Sequence, residues 1–188
     1  MIRPWPLLAS EPVFDAGLLR VTRDRARSPR TGGERDFHVI RMVDWLMAVA
    51  LTEDDKLVMV RQYRHGSRET SLEVPGGLHD GGTPAESTAA GAARELAEET
   101  GYGGGIWSLL GHLRPQPALL SNRAWIYLAQ GVCATGATEL DAGEDIEVVL
   151  VDPQEIPARL ASGEINNAMT VAALALASFS GQMQEKSL

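Results

Sequence analysis

The sequence predicts an α/β sandwich, and three observations carry that expectation. Nearly continuous apolar runs, residues 45–51 (WLMAVAL) being the clearest, read as buried strands. Three helical stretches, 84–100, 153–162 and 166–179, stand among these strands. The first carries small apolar residues on one side (Ala89, Ala92, Ala93, Leu96), which suit close packing against a sheet. No internal repeat or low-complexity segment interrupts the pattern.

Composition narrows the classes of function. The 188 residues suffice for one sizeable core, and 44% hydrophobic with 22% charged residues is ordinary for a globular chain. A net charge of -8 argues against a sequence-independent nucleic-acid binder, which needs a basic face. It leaves an anionic small substrate open, because bound metal ions can invert the local field. The single Cys133 permits no intrachain disulfide or cysteine-rich zinc site, and reads as a partly buried small apolar residue. The proline-containing start has no apolar run resembling a signal segment, and residues 171–177 are too few to span a bilayer. A cytoplasmic protein with neither membrane nor nucleic-acid partners is expected.

Residues 1–40 read as an appendage with short strands at 13–14 and 17–22. The basic stretch 23–35 (RDRARSPRTGGER) reads as a solvated hairpin loop, with a phosphate-contacting loop as the alternative. Trp5 reads as a packing anchor, or else as a stacking lid over a base. Strand 45–51 turns through 52–56, where Asp54 and Asp55 supply turn chemistry, into strand 57–64. That strand ends in Gln62, Tyr63 and Arg64, polar groups placed to serve a site. A short strand at 72–74 is stopped by Pro75, and 76–82 (GGLHDGG) is a glycine loop. Thr83 as N-cap, Pro84 at the first helical position and Glu86 completing a capping box start the helix, and Gly101 ends it. Strands follow at 106–113, 123–132 and 146–151, with a proline-containing loop at 114–122 and an acidic loop at 135–145. The helix at 153–162 stops at Gly163, the helix at 166–179 packs on the sheet, and the tail from 181 frays. His38, His65, His79 and His112 have no metal-ligand spacing with one another.

The first helix holds the chemistry. At roughly 100° per residue, Glu95, Glu98 and Glu99 lie within one face about 100° wide. Three crowded acids repel one another and call for a cation, and carboxylate oxygens suit Mg²⁺ or Mn²⁺.

Glu86, seven intervening residues, then Arg94-Glu95-Leu96-Ala97-Glu98-Glu99-Thr100-Gly101-Tyr102 resemble the signature box of the Nudix hydrolases. Eight residues rather than five separate Gly77 from Glu86, so the extra three fall in the loop. The resemblance implies a Nudix-type α/β/α sandwich with a mixed β-sheet and an N-terminal β extension. It implies Glu95 and Glu99 as principal metal ligands, Glu98 as a further ligand or water-orienting group, and the Gly76 carbonyl as a ligand from the loop. Arg94 would brace one glutamate by an ion pair. For Glu86 the capping box is the favoured reading and a metal role the alternative. Val60 to Arg64, Leu72 to Gly77, Pro117 and Ile165 to Ala168 are similar to the branch acting on ADP-ribose and other nucleoside diphosphate sugars. That branch implies Arg64, Gln62 and Glu73 as substrate-binding residues and a general base from the acidic loop. Glu144 is the one glutamate in register there, and Glu98 is the alternative base. The branch also implies a homodimer formed through residues 1–40, with the hydrolase domain over 41–182 and a tail at 183–188. Other diphosphates, such as GDP-mannose or a dinucleoside polyphosphate, and a non-catalytic binding module are the alternative readings.

Overall fold

A computed structural model describes residues 1–79 and 86–181, which form two compact units. The first comprises residues 1–44 with 114–123, and the second residues 45–113 with 124–188.

The first unit is a three-stranded antiparallel sheet of β1 (Leu7–Asp15), β2 (Leu19–Arg27) and β3 (Glu34–Met42), in that order. These strands are longer than expected, and the basic stretch forms a loop only between Arg27 and Glu34. The physical reason is a period-two pattern built from unusual residues. Thr22, Asp24 and Ala26 turn inward, while Arg23, Arg25 and Arg27 turn outward and pair across strands with Glu11, Asp36 and Glu34. Residues 114–123 join this unit: Ile40 N donates to the Leu119 carbonyl at 2.8 Å and Ser121 N to the Ile40 carbonyl at 3.0 Å.

The second unit is the predicted α/β/α sandwich. Its mixed sheet contains β4 (Trp45–Thr52), β5 (Leu57–Arg64), β6 (Glu69–Glu73), β7 (Gly76–Leu78), β8 (Tyr102–Leu113), β9 (Ala124–Ala134) and β10 (Ile146–Val151). The main path runs β10-β5-β4-β9-β8, with β6 on β5 and β7 on β4. β4 and β9 are parallel, and the other pairs are antiparallel. Alternation along β4 sorts the core. Met47, Val49 and Leu51 meet Ile165, Met169, Ala173 and Ala177 on one face, whereas Ala48 and Ala50 meet Leu96 on the other. Helix α1 (Thr88–Thr100) thus covers one face, while α2 (Ile156–Ala161) and α3 (Ala168–Phe179) serve the other. Among the described residues no helix is long and apolar enough to cross a membrane.

Two local expectations are corrected. Thr83 and Pro84 lie outside the described residues, but α1 starts at Thr88, with Ser87 as N-cap accepting from Ala90 N at 3.2 Å. Glu86 therefore precedes the helix and closes no capping box, because a serine nearer the helical run satisfies the orphan N–H. Cys133 is exposed rather than partly buried, since it alternates with the buried Val132 near the end of β9. The C-terminal end of α1 matches expectation, with Gly101 at φ 72° donating its N–H to the Ala97 carbonyl.

Leu96 is fully buried between α1 and the sheet. Leu96→Ala should destabilise the protein by about 2–4 kcal/mol, read as a lower urea midpoint with an unchanged slope.

Candidate active site on the acidic helix

The site is assembled where β4 and β5 part. Their pairing consists of Ala50↔Val58 and Leu51↔Leu57; beyond it β5 takes β6 as partner and β4 takes β7. The chain crosses between the two arms through Glu73-Val74-Pro75-Gly76. Ala48 N donates to the Pro75 carbonyl at 2.9 Å, and a Cβ at residue 76 would collide with the Leu46 carbonyl. Glycine at this position is therefore a requirement of close approach.

Helix α1 lies alongside, and its three acids are not equivalent. Glu99 turns inward, 3% exposed, and accepts a hydrogen bond from Gly76 N at 2.9 Å. Glu95 is mostly buried and Glu98 is the most open, with side-chain exposures of 12% and 36%. Arg94 joins the helix to the segment before it. Its Nη1 donates to Glu98 at 2.6 Å, its Nη2 lies 2.9 Å from Glu95, and its Nε lies 3.4 Å from Glu86. It braces three carboxylates where one was expected, and the contacts to Glu86 and Glu95 are charge contacts without hydrogen-bond alignment. The Glu86 carbonyl faces His79 Nε2 at 3.1 Å.

Burial is the main cause pushing the Glu99 carboxyl up to about 8, opposed by the Gly76 N–H, reinforced by Glu95 and Glu144, and eased by Arg64. Burial likewise raises Glu95, against the attraction of Arg94 and with added repulsion from Glu98 and Glu144. Glu144 thus acts electrostatically on both glutamates. Its loop is tied to the end of α1 by Glu139 N donating to the Glu98 carbonyl and Thr135 N to the Gly101 carbonyl, each at 2.8 Å.

On the other arm of the fork, Arg64 grips Glu73 with two parallel bonds, Nε to Oε1 at 3.0 Å and Nη2 to Oε2 at 2.8 Å. Glu73 is 2% exposed and accepts a third bond from Asn167 Nδ2 at 2.6 Å. Two of the three expected substrate-binding residues, Arg64 and Glu73, are thus in contact, whereas Gln62 sits half-buried on β5 between Ile146 and Ser71 with no part in these contacts. The sequence reading starts the last helix at 166, whereas Asn167 is the N-cap of α3, and nothing in the sequence signalled its bond to Glu73.

Among the described residues, no three His, Cys, Asp or Glu side chains already stand together as a metal-holding group. Glu98 and Glu95 are drawn toward Arg94, and Glu99 toward the Gly76 N–H. The donors nevertheless fit a hard divalent cation. Glu99 is a buried acid with one hydrogen-bond donor, the Gly76 N–H, among the described residues, and its burial raises its pKa. Glu95, Glu98, Glu99 and the Gly76 carbonyl are the oxygens that would supply the site.

Comparison with known proteins places this geometry. The family model for the NUDIX domain matches residues 44–172. An ADP-ribose pyrophosphatase of Mycobacterium tuberculosis is 31% identical over 167 residues, covering 88% of this chain and 79% of that protein. An ADP-ribose pyrophosphatase of Bacillus subtilis is 26% identical, covering 89% of each. A crystal structure of an ADP compounds hydrolase superposes with a TM-score of 0.84 at 26% identity, covering 98% of this chain and 97% of that one.

The Glu99 shift has a definite sign for stability. Below the ordinary value of 4.5 the carboxyl is protonated in both folded and unfolded chains; between 4.5 and about 8 the unfolded chain ionises first. Metal-free protein should therefore lose stability as pH rises through that window, by on the order of 5 kcal/mol. Thermal melts in EDTA should show the decline, Mg²⁺ should reverse it, and Glu99→Gln should flatten both responses.

Proposed function

The chain belongs to the Nudix hydrolase family, and from that premise we propose that it cleaves the pyrophosphate of ADP-ribose or a related nucleoside diphosphate sugar. The products are a nucleoside monophosphate and a sugar phosphate. The observation that carries the reading is the pairing of two features across one fork in the sheet. A buried, charge-deficient Glu99 lies on one side, and an Arg64 held by Glu73 lies on the other. The relatives named above, an ADP-ribose pyrophosphatase in two bacteria, support the substrate class.

Nudix hydrolases depend on divalent metal, and Mg²⁺ is the proposed ion here, with Mn²⁺ as a substitute. Bound at such a site, the metal neutralises phosphate oxygens and lowers the pKa of the attacking water. Glu95, Glu98, Glu99 and the Gly76 carbonyl would hold it. Arg64 spends two of its five donors on Glu73, and the rest make no hydrogen bond among the described residues, so they can meet a phosphate oxygen. Gln62 would contact the substrate beside it. Glu144, carried on the loop anchored to α1, or Glu98, once parted from Arg94, would take the proton of the water. We further propose a homodimer through residues 1–40, working in the cytoplasm. Its support is the exposed apolar side chains of the first unit, Leu7, Leu8, Val13, Phe14, Leu18 and Leu19.

Incubation with Mg²⁺ and ADP-ribose, GDP-mannose, NADH or diadenosine polyphosphate should show ADP-ribose turned over with the highest kcat/KM. No hydrolysis of any compound, with Mg²⁺ or Mn²⁺, would sink the enzyme reading, and a clear preference for GDP-mannose or a dinucleoside would move the substrate. Glu144→Gln and Glu98→Gln separate the two bases: the true one should lower kcat by about 100-fold or more with little change in KM. Light scattering at micromolar concentration should give twice the chain mass; a monomer would remove the dimer.

A further inference from the structure

We propose that Asn167 is a positioning residue that latches the crossing segment 73–76 and, through Glu73, sets the Arg64 guanidinium for substrate. This rests on the reading of Arg64 as a substrate contact.

The amide of Asn167 is used at both ends. Its Oδ1 accepts from Met169 N at 2.8 Å and Thr170 N at 3.3 Å, capping α3, while its Nδ2 donates to Glu73 Oε2 at 2.6 Å. Only the oxygen can accept from the helix N–H groups, so capping itself delivers the NH₂ group to Glu73. One residue further on, Val74 N donates to Thr170 Oγ1 at 3.3 Å, in a side chain with no exposure. The first turn of α3 thus holds two successive residues of the crossing segment. The same segment ends at Gly76, whose N–H meets Glu99.

The consequence falls on Arg64, whose side chain is 45% exposed. A long, half-exposed guanidinium on a strand end has many rotamers, and ordering it at the moment of binding costs affinity. Glu73 removes that freedom only if its own carboxylate is fixed. Oε2 shares its lone pairs between Arg64 Nη2 and Asn167 Nδ2, so Asn167 fixes the carboxylate plane against which the guanidinium lies. A bond that orients a binding group acts mainly on KM, because Arg64 meets the substrate in ground and transition states alike.

A plain capping role is separable from the latch, because serine and aspartate are both good N-caps. Serine is too short to reach Glu73, and aspartate sets a second carboxylate against it. With ADP-ribose and Mg²⁺, Asn167→Ser should melt within a few degrees of wild type. It should raise KM about tenfold, the loss of a charge-assisted bond, with kcat within about twofold. Asn167→Asp should raise KM further and guards against a serine variant that folds poorly. Arg64→Ala is the companion measurement. If Arg64→Ala raises KM while well-folded Asn167→Ser or Asn167→Asp keeps the wild-type value, the latch is overturned and the Arg64 reading stands. If Arg64→Ala leaves KM unchanged, the Arg64 reading falls and the latch with it, whatever the variants at 167 do.

Discussion

Much of the second unit depends on a hairpin that opens. β4 and β5 pair over two residue couples and then separate, and each open edge must find new hydrogen-bond partners. β6 and β7 fill the two edges, and the residues between them have to bridge the gap. That bridge runs past the Leu46 carbonyl so closely that residue 76 has room for no side chain. The polar groups at this fork are paired with one another or with neighbours, the Gly76 N–H with Glu99 and the Glu73 carboxylate with Arg64 and Asn167. Splitting a buried sheet leaves polar groups among otherwise apolar side chains, which closely packed elements seldom allow.

Electrostatically this arrangement is a compromise. Arg94 pairs with the outer acids, Arg64 pairs with Glu73, and Glu99 has a single backbone donor among the described residues. Burying an acid in that state is unfavourable, and the chain offsets the cost through the packing of Leu96 and Ala92 on the same helix.

What the sequence revealed follows the reach of local rules. The acidic face of α1, its glycine stop and the buried strands depend on periods of 3.6 and 2 within a single segment, and each was legible. The part of β2 beyond Thr22 was hidden because its inward positions are Asp24 and Ala26 and its outward ones arginines, a composition that mimics a loop until the carboxylates of neighbouring strands are in view. Ser87 displaced the expected cap because two adequate capping residues stand four apart, and only tertiary packing chooses between them. The bond from Asn167 to Glu73 was illegible because partners 94 residues apart leave no periodic trace.

The route of residues 114–123 bears on how the molecule is made. These residues interrupt the second unit's sequence to lend β3 an additional backbone neighbour, so the first unit is discontinuous along the chain. As the ribosome delivers the polypeptide, the N-terminal hairpins emerge early but wait for Leu119 and Ser121 before that edge of Ile40 is satisfied. The first unit is therefore completed only after most of the second unit's strands have been synthesised. A clean excision of the N-terminal strands would strand the 114–123 excursion without its template. The appendage is consequently an integral part of the folding programme, and a boundary drawn at a single residue would cut through it.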